Sequence, residues 1–182
     1  MTKIQVPFFR PQIGEHEIPE VVETLRSGWL TTGKRVQLFE KNFAAAVGVP
    51  YAVALNSCTA ALHLAVEALG LKAGQGVLVP TMTFAATAEV VRYLGAIPVL
   101  VDCDPVTGNM DLDDALRKSQ EFESTDYTDY TEIQKKEHSK IVGMIPVHVG
   151  GMMMDGKALS EFARALHRVM YQPSHSRQRP TS

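Results

Sequence analysis

The stretch Tyr51–Leu69, YAVALNSCTAALHLAVEAL, constrains this chain more than any other. Its first five residues form a short apolar run with a β-branched valine, which predicts a buried strand over Tyr51–Leu55. Asn56-Ser57-Cys58-Thr59 is small and polar, a turn with several N-cap candidates. Ala60–Leu69 is rich in alanine and leucine, and Leu62, Val66 and Leu69 share one helical face, so a helix is predicted there. A strand that passes straight into a helix leaves the first helical amides without acceptors. Those donors and the helix dipole together favour a phosphate or a carboxylate. The alternative is that Ser57 or Thr59 simply caps the helix.

The rest of the chain repeats the alternation. Before this stretch come an extended lead-in at Val6–Gly14 and two short helices, Glu17–Ser27 and Arg35–Val47. Val21, Val22 and Leu25 form the apolar face of the first; Val36, Phe39, Phe43 and Val47 form that of the second. Gly28 and Gly48 stop them. Between them lies the loop WLTTG, which holds the only tryptophan, Trp29, as a packing residue or as part of a ligand or partner surface. After Leu69, strands are predicted at Val77–Pro80, Ile97–Val101 and Ile141–Val147. Helices are predicted at Phe84–Leu94, Met110–Lys118 and Lys157–Met170. Ser119–Lys140 is polar with little apolar periodicity and reads as an exposed insertion. The tail Tyr171–Ser182 is almost without apolar residues and reads as disordered, and its Arg177 and Arg179 carry little binding signal.

Strands alternating with helices imply an α/β fold around a mainly parallel sheet, with right-handed crossovers placing helices on both faces. The expected organisation is a helical lead-in over 1–50, an α/β domain over 51–170 with its insertion at 119–140, and a loose tail over 171–182. The net charge of −2 gives no broad attraction to nucleic acid or membrane. The N-terminus has no signal-peptide core and no apolar run reaches membrane-spanning length. The two cysteines, Cys58 and Cys103, suit a reducing cytoplasm better than a disulfide framework, and no Cys/His spacing suggests a metal site. Neither G-x-G-x-x-G nor a Walker loop is present.

Five motifs in order then carry a resemblance: GWLTTG (Gly28–Gly33), NSCTAALHLA (Asn56–Ala65), VPTMTFAAT (Val79–Thr87), LGAIPVLVDCD (Leu94–Asp104) and IPVHVGG (Ile145–Gly151). Together they resemble the DegT/DnrJ/StrS-type sugar aminotransferases, pyridoxal-phosphate enzymes of the aspartate-aminotransferase fold, over about Val6 to Met170. The resemblance implies part of a fold-type-I large domain, pyridoxal 5′-phosphate or pyridoxamine phosphate as cofactor, and a dimer. It also implies amino transfer from glutamate to a keto group on a nucleotide-linked sugar; some members use the fold for dehydration. Ser57, Thr59 and Ala60 match the turn that holds the cofactor phosphate, through the amides of Thr59 and Ala60 and a hydroxyl of Ser57 or Thr59. Phe84 matches the aromatic residue that stacks on the pyridine ring, against the alternative of core packing. Trp29, Thr31 and Thr32 match a loop near the substrate, and His148 ends a strand where ligands gather in such sheets.

The chemistry also needs a lysine that binds the cofactor covalently and a carboxylate beside the pyridine nitrogen. In the family both follow the region matched here, and no lysine of this chain lies in the family's lysine motif. No catalytic residue is therefore assigned. The expectation is a truncated or frame-shifted product carrying the phosphate half of the site, with an unpaired sheet edge and an uncovered apolar face. The alternatives are a phosphate-binding or dimerising fragment that pairs with a full-length relative, and a non-functional remnant.

Overall fold

Val77, Leu78 and Val79 form the middle of a sheet and are buried on both faces. The computed structural model describes residues 7, 10–124 and 140–170, with side chains described as far as 166. The chain divides into two compact units, Met1–Ala54 and Leu55–Ser182. The predicted tail and most of the predicted insertion lie outside the described residues.

The first unit holds helices α1 (Glu17–Arg26) and α2 (Lys34–Val47). Helix α2 ends at Gly48, whose φ of +72° is left-handed; the amide of Val49 then reaches the carbonyl of Ala44 at 3.0 Å. Arg35 of α2 donates to Glu23 at 2.8 Å and pairs with Glu20, which ties the two helices together at the surface. Both predicted helices form, yet their apolar faces stay largely open. Val21, Leu25, Phe39, Phe43 and Val47 are all exposed, and only Ala44 is buried. The rings of Phe39 and Phe43 lean on one another with centroids 5.9 Å apart.

The predicted strand at Tyr51–Leu55 does not form. Tyr51 and Val53 are 86% and 77% exposed, and the segment is irregular. A strand needs a neighbouring edge to take its backbone donors and acceptors, and none of the described strands pairs with this one.

The second unit contains α3 (Cys58–Ala68), β1 (Gly76–Pro80), α4 (Ala86–Tyr93), β2 (Ile97–Val101), α5 (Leu112–Ser124), β3 (Ile141–Met144) and α6 (Gly156–Met170). The sheet is parallel, in the order β2-β1-β3, with Gly76 opposite Ile97 and Pro80 opposite Val101. Side chains alternate across β1. Leu78 faces a core with Val101, Ala115, Phe122, Ile141 and Leu166. Val77 and Val79 face the opposite core with Val66, Val90, Val91 and Ala96. Helices α5 and α6 thus cover one face and α3 and α4 the other, as the α/β reading expects. Gly76 has no room for a side chain: a Cβ there would lie 2.5 Å from Ile141 Cδ1 and 2.7 Å from Phe122 Cε1.

The insertion starts later than the sequence suggests. Ser119–Ser124 continues α5, and Phe122 is 2% exposed. Ala115, Ser119 and Phe122 lie four and three residues apart on one helical face, so one aromatic residue anchors a stretch that is otherwise polar. Strand β3 stops at Met144 rather than Val147.

Candidate active site

Helix α3 ends where the chain turns into the start of β1, and α4 begins just past the end of β1. Both helices therefore run against the strand direction, and both N-termini lie at the carboxyl end of the sheet. Ligands collect at this end of open parallel sheets. The predicted phosphate turn, Phe84, Cys103 and His148 all follow from this topology at the same end.

Ser57 is the N-cap of α3. Its backbone is extended (φ −157°, ψ 155°), and its Oγ accepts from the amide of Ala60 at 3.1 Å. The capping alternative is thus realised, and it changes the donor set. The Ala60 amide, expected as a phosphate donor, is turned to Ser57, because an N-cap oxygen takes the second or third helical N–H. The amides of Cys58 and Thr59, first in the helix, have no acceptor among the described residues. Ser57 and Cys58 are exposed and Thr59 is half-buried.

Phe84 is 80% exposed and belongs to neither of the two buried cores. Its backbone is fixed nonetheless. Its carbonyl accepts from the amide of Thr87 at 3.0 Å, and the hydroxyls of Thr83 and Thr87 lie 2.7 Å apart. Cys103, just beyond β2, adds a constraint that sequence reasoning missed. Its sulfur accepts from the amide of Met82 at 3.3 Å and lies 3.4 Å from the Thr81 hydroxyl, fastening the β1–α4 turn that carries Phe84. Both cysteines are free.

His148 is exposed, and its Nδ1 accepts from the amide of Met154 at 3.2 Å. The loop it belongs to is held by Asn109, a residue with no signal in the sequence beyond its place in the turn DPVTGN. At the same end, Asp104 accepts from the amide and hydroxyl of Thr107 and from the amide of Val106, which holds its carboxyl below the usual range. Asp114 of α5 accepts from the backbone of Asp102 at 2.8 Å; this bond first, then Arg117, lowers its pKa too.

Trp29, Thr31 and Thr32 belong to the first unit. The indole is 64% exposed and donates to the carbonyl of Thr32 at 3.1 Å. A cleft of about 960 Å³ opens within that unit, lined by Thr24, Trp29, Thr31, Thr32 and Lys34 among others.

Residues 11–170 match the model of the DegT/DnrJ/EryC1/StrS aminotransferase family. The chain belongs to that family, whose members bind pyridoxal phosphate. It is 40% identical over 159 residues to the spore coat polysaccharide biosynthesis protein SpsC of Bacillus subtilis (strain 168), covering 87% of this chain and 36% of that one. Its fold is similar to that of the putative sugar aminotransferase Spr1654 from Streptococcus pneumoniae. The form of Spr1654 with PMP gives a TM-score of 0.72 at 37% identity, over 87% of this chain and 35% of that one. It is also similar to 3-amino-5-hydroxybenzoic acid synthase, with a TM-score of 0.70 at 30% identity, over 86% of this chain and 37% of that one. The chain thus spans about a third of the length of the relatives it matches. No described helix is long and apolar enough to cross a membrane.

Proposed function

We propose that this chain carries the phosphate-anchoring part of a pyridoxal-phosphate sugar-aminotransferase site. The observation that carries this reading is the open N-terminus of α3, where the amides of Cys58 and Thr59 have no acceptor among the described residues, at the same sheet end as the exposed ring of Phe84. The two amides and the Thr59 hydroxyl donate to the cofactor phosphate, and the helix dipole adds to the attraction. Ser57 keeps the turn in shape by holding Ala60, and exchanges that bond for the phosphate if the anion draws the third amide. Phe84 supplies a flat face for the pyridine ring. Pyridoxal phosphate, when bound, supplies the electron sink for moving an amino group. Trp29, Thr31 and Thr32 line the cleft of the first unit as substrate contacts, a role that rests on the family resemblance.

In the whole enzyme the reaction is amino transfer from glutamate to a nucleotide-linked keto sugar, in a cytoplasmic dimer. The lysine and the pyridine-nitrogen carboxylate that complete it are not assigned to any residue of these 182. A second reading is favoured by the exposed Phe39, Phe43 and Val47 of α2. In it the chain is a phosphate-binding fragment that pairs with a full-length relative. Fluorescence titration with pyridoxal 5′-phosphate, with and without inorganic phosphate, tests the first reading. Saturable binding that phosphate displaces is expected; no saturable binding overturns it. Co-purification with a full-length aminotransferase favours the second.

A further inference from the structure

Asn109 is a buried polar residue, 5% exposed, in the turn between β2 and α5. Both ends of its carboxamide are committed to a segment 40 residues on. Its Oδ1 accepts from the amide of Val149 at 2.9 Å, and its Nδ2 donates to the carbonyl of Met152 at 3.0 Å. Its own backbone is held as well. Its carbonyl accepts from Asp104 at 2.8 Å and its amide donates to the Thr107 hydroxyl at 3.2 Å. Asp104 in turn gathers three donors from Val106 and Thr107. A rigid turn at the end of β2 therefore reaches across to the loop that follows β3.

That loop carries His148. It includes Gly150 and Gly151 at φ +61° and +81°, a conformation that glycine adopts readily. Two bonds of its own shape it, from the Gly151 amide to the His148 carbonyl at 3.1 Å and from the Met152 amide to the Val149 carbonyl at 3.0 Å, and Asn109 ties that turn to the rest of the unit. Val149 and Met152, the two residues Asn109 grips, flank these glycines. Beyond Met152, the buried Met154 sends its amide back to His148 Nδ1 at 3.2 Å. A ring nitrogen that accepts carries no hydrogen, so the neutral ring bears its hydrogen on Nε2. Nε2 has no partner among the described residues.

We infer that Asn109 is the positioning residue for His148. By clamping Val149 and Met152 it keeps the Met154 amide against Nδ1, and so presents His148 as an Nε2–H donor at the carboxyl end of the sheet. The ligand this donor suits is an oxyanion: a phosphate, phenolate or carboxylate oxygen. The ligand class rests on the reading of this sheet end as the cofactor site, whereas the coupling of Asn109 to the imidazole does not.

The test is ¹⁵N NMR of the full chain labelled at its six histidines, with His148→Gln assigning the signal. The wild-type neutral ring is expected in the Nε2–H form. Asn109→Ala is expected to shift it to a mixture of tautomers. So is Asn109→Asp, which is isosteric and leaves no cavity but loses the donor to Met152. A wild-type Nδ1–H ring overturns the inference, as does a folded variant that keeps the wild-type tautomer ratio. Hydrogen exchange of the wild-type decides if both variants unfold. Matched protection of the Asn109 carboxamide and the Met154 amide is expected; a protected carboxamide with a freely exchanging Met154 amide overturns the coupling. Pyridoxal phosphate is absent from all these measurements, so its failure to bind would sink the proposed function and leave this inference standing.

Discussion

The Oγ of Ser57 lies 3.1 Å from the amide nitrogen of Ala60, and with this bond made Cys58 and Thr59 are the open donors of α3 among the described residues. Cys58 occupies the first helical position, where proline fits and its missing N–H disturbs no helical bond. Ser57 is already extended, as a residue before proline must be. Cys58→Pro should therefore keep the stability of the chain while removing one phosphate donor. A charge-assisted hydrogen bond contributes about 1.5–3 kcal/mol, so affinity for pyridoxal phosphate should fall roughly 10- to 100-fold. Urea unfolding and fluorescence titration of the same variant check both halves.

Phe84→Ala separates stacking from folding in the same way. An 80% exposed ring adds little to the core, so the change in stability should stay within about 0.5 kcal/mol. Loss of an aromatic stack worth about 0.5–1.5 kcal/mol should weaken cofactor binding roughly 2- to 12-fold. A large drop in the unfolding midpoint would return Phe84 to a packing role.

Phe122 and Gly76 meet in the core beneath α5, and each predicts a loss of stability from the opposite cause. Phe122→Ala opens a cavity and should cost about 3–5 kcal/mol. Gly76→Ala forces a methyl against Ile141 and Phe122 and should cost about 1–3 kcal/mol. Denaturant midpoints of the full chain measure both.

The contrast between Phe122 and Tyr51 shows what the sequence could and could not reveal. The sheet was legible because Val77-Leu78-Val79 is an apolar run of strand length and glycines punctuate the helices around it. The turn and N-cap at Ser57 were legible because helix-start chemistry is local. Tyr51–Leu55 has the composition of a strand, but pairing depends on a distant edge that composition does not report. Phe122 sits in a polar stretch, and only its spacing from Ala115 and Ser119 marks a buried face. Asn109 was invisible because its work is done on Val149 and Met152, which no local pattern connects to it. The open faces of α1 and α2 show the same limit: amphipathic periodicity predicts a helix and says nothing of what covers it.

Asp104 gives a pH dependence with a definite sign. Bonds from Thr107 and Val106 hold its folded pKa below the unfolded value of about 3.9. As pH falls, the unfolded chain takes up the proton first, so the carboxylate's stabilisation is full above about pH 4 and vanishes as pH drops through the lower folded value. Asp104→Asn should therefore lower the melting temperature at pH 7, and the gap to wild-type should close in acid. A gap that is constant with pH would mean the ionised carboxylate contributes nothing.

The central claim is that the N-terminus of α3 anchors a phosphate. Parallel titrations of the full chain with pyridoxal 5′-phosphate and with pyridoxal, which lacks the phosphate, test it most directly. Two charge-assisted amide bonds predict an affinity at least about 100-fold higher for the phosphorylated form. Equal affinity for the two compounds would contradict the account.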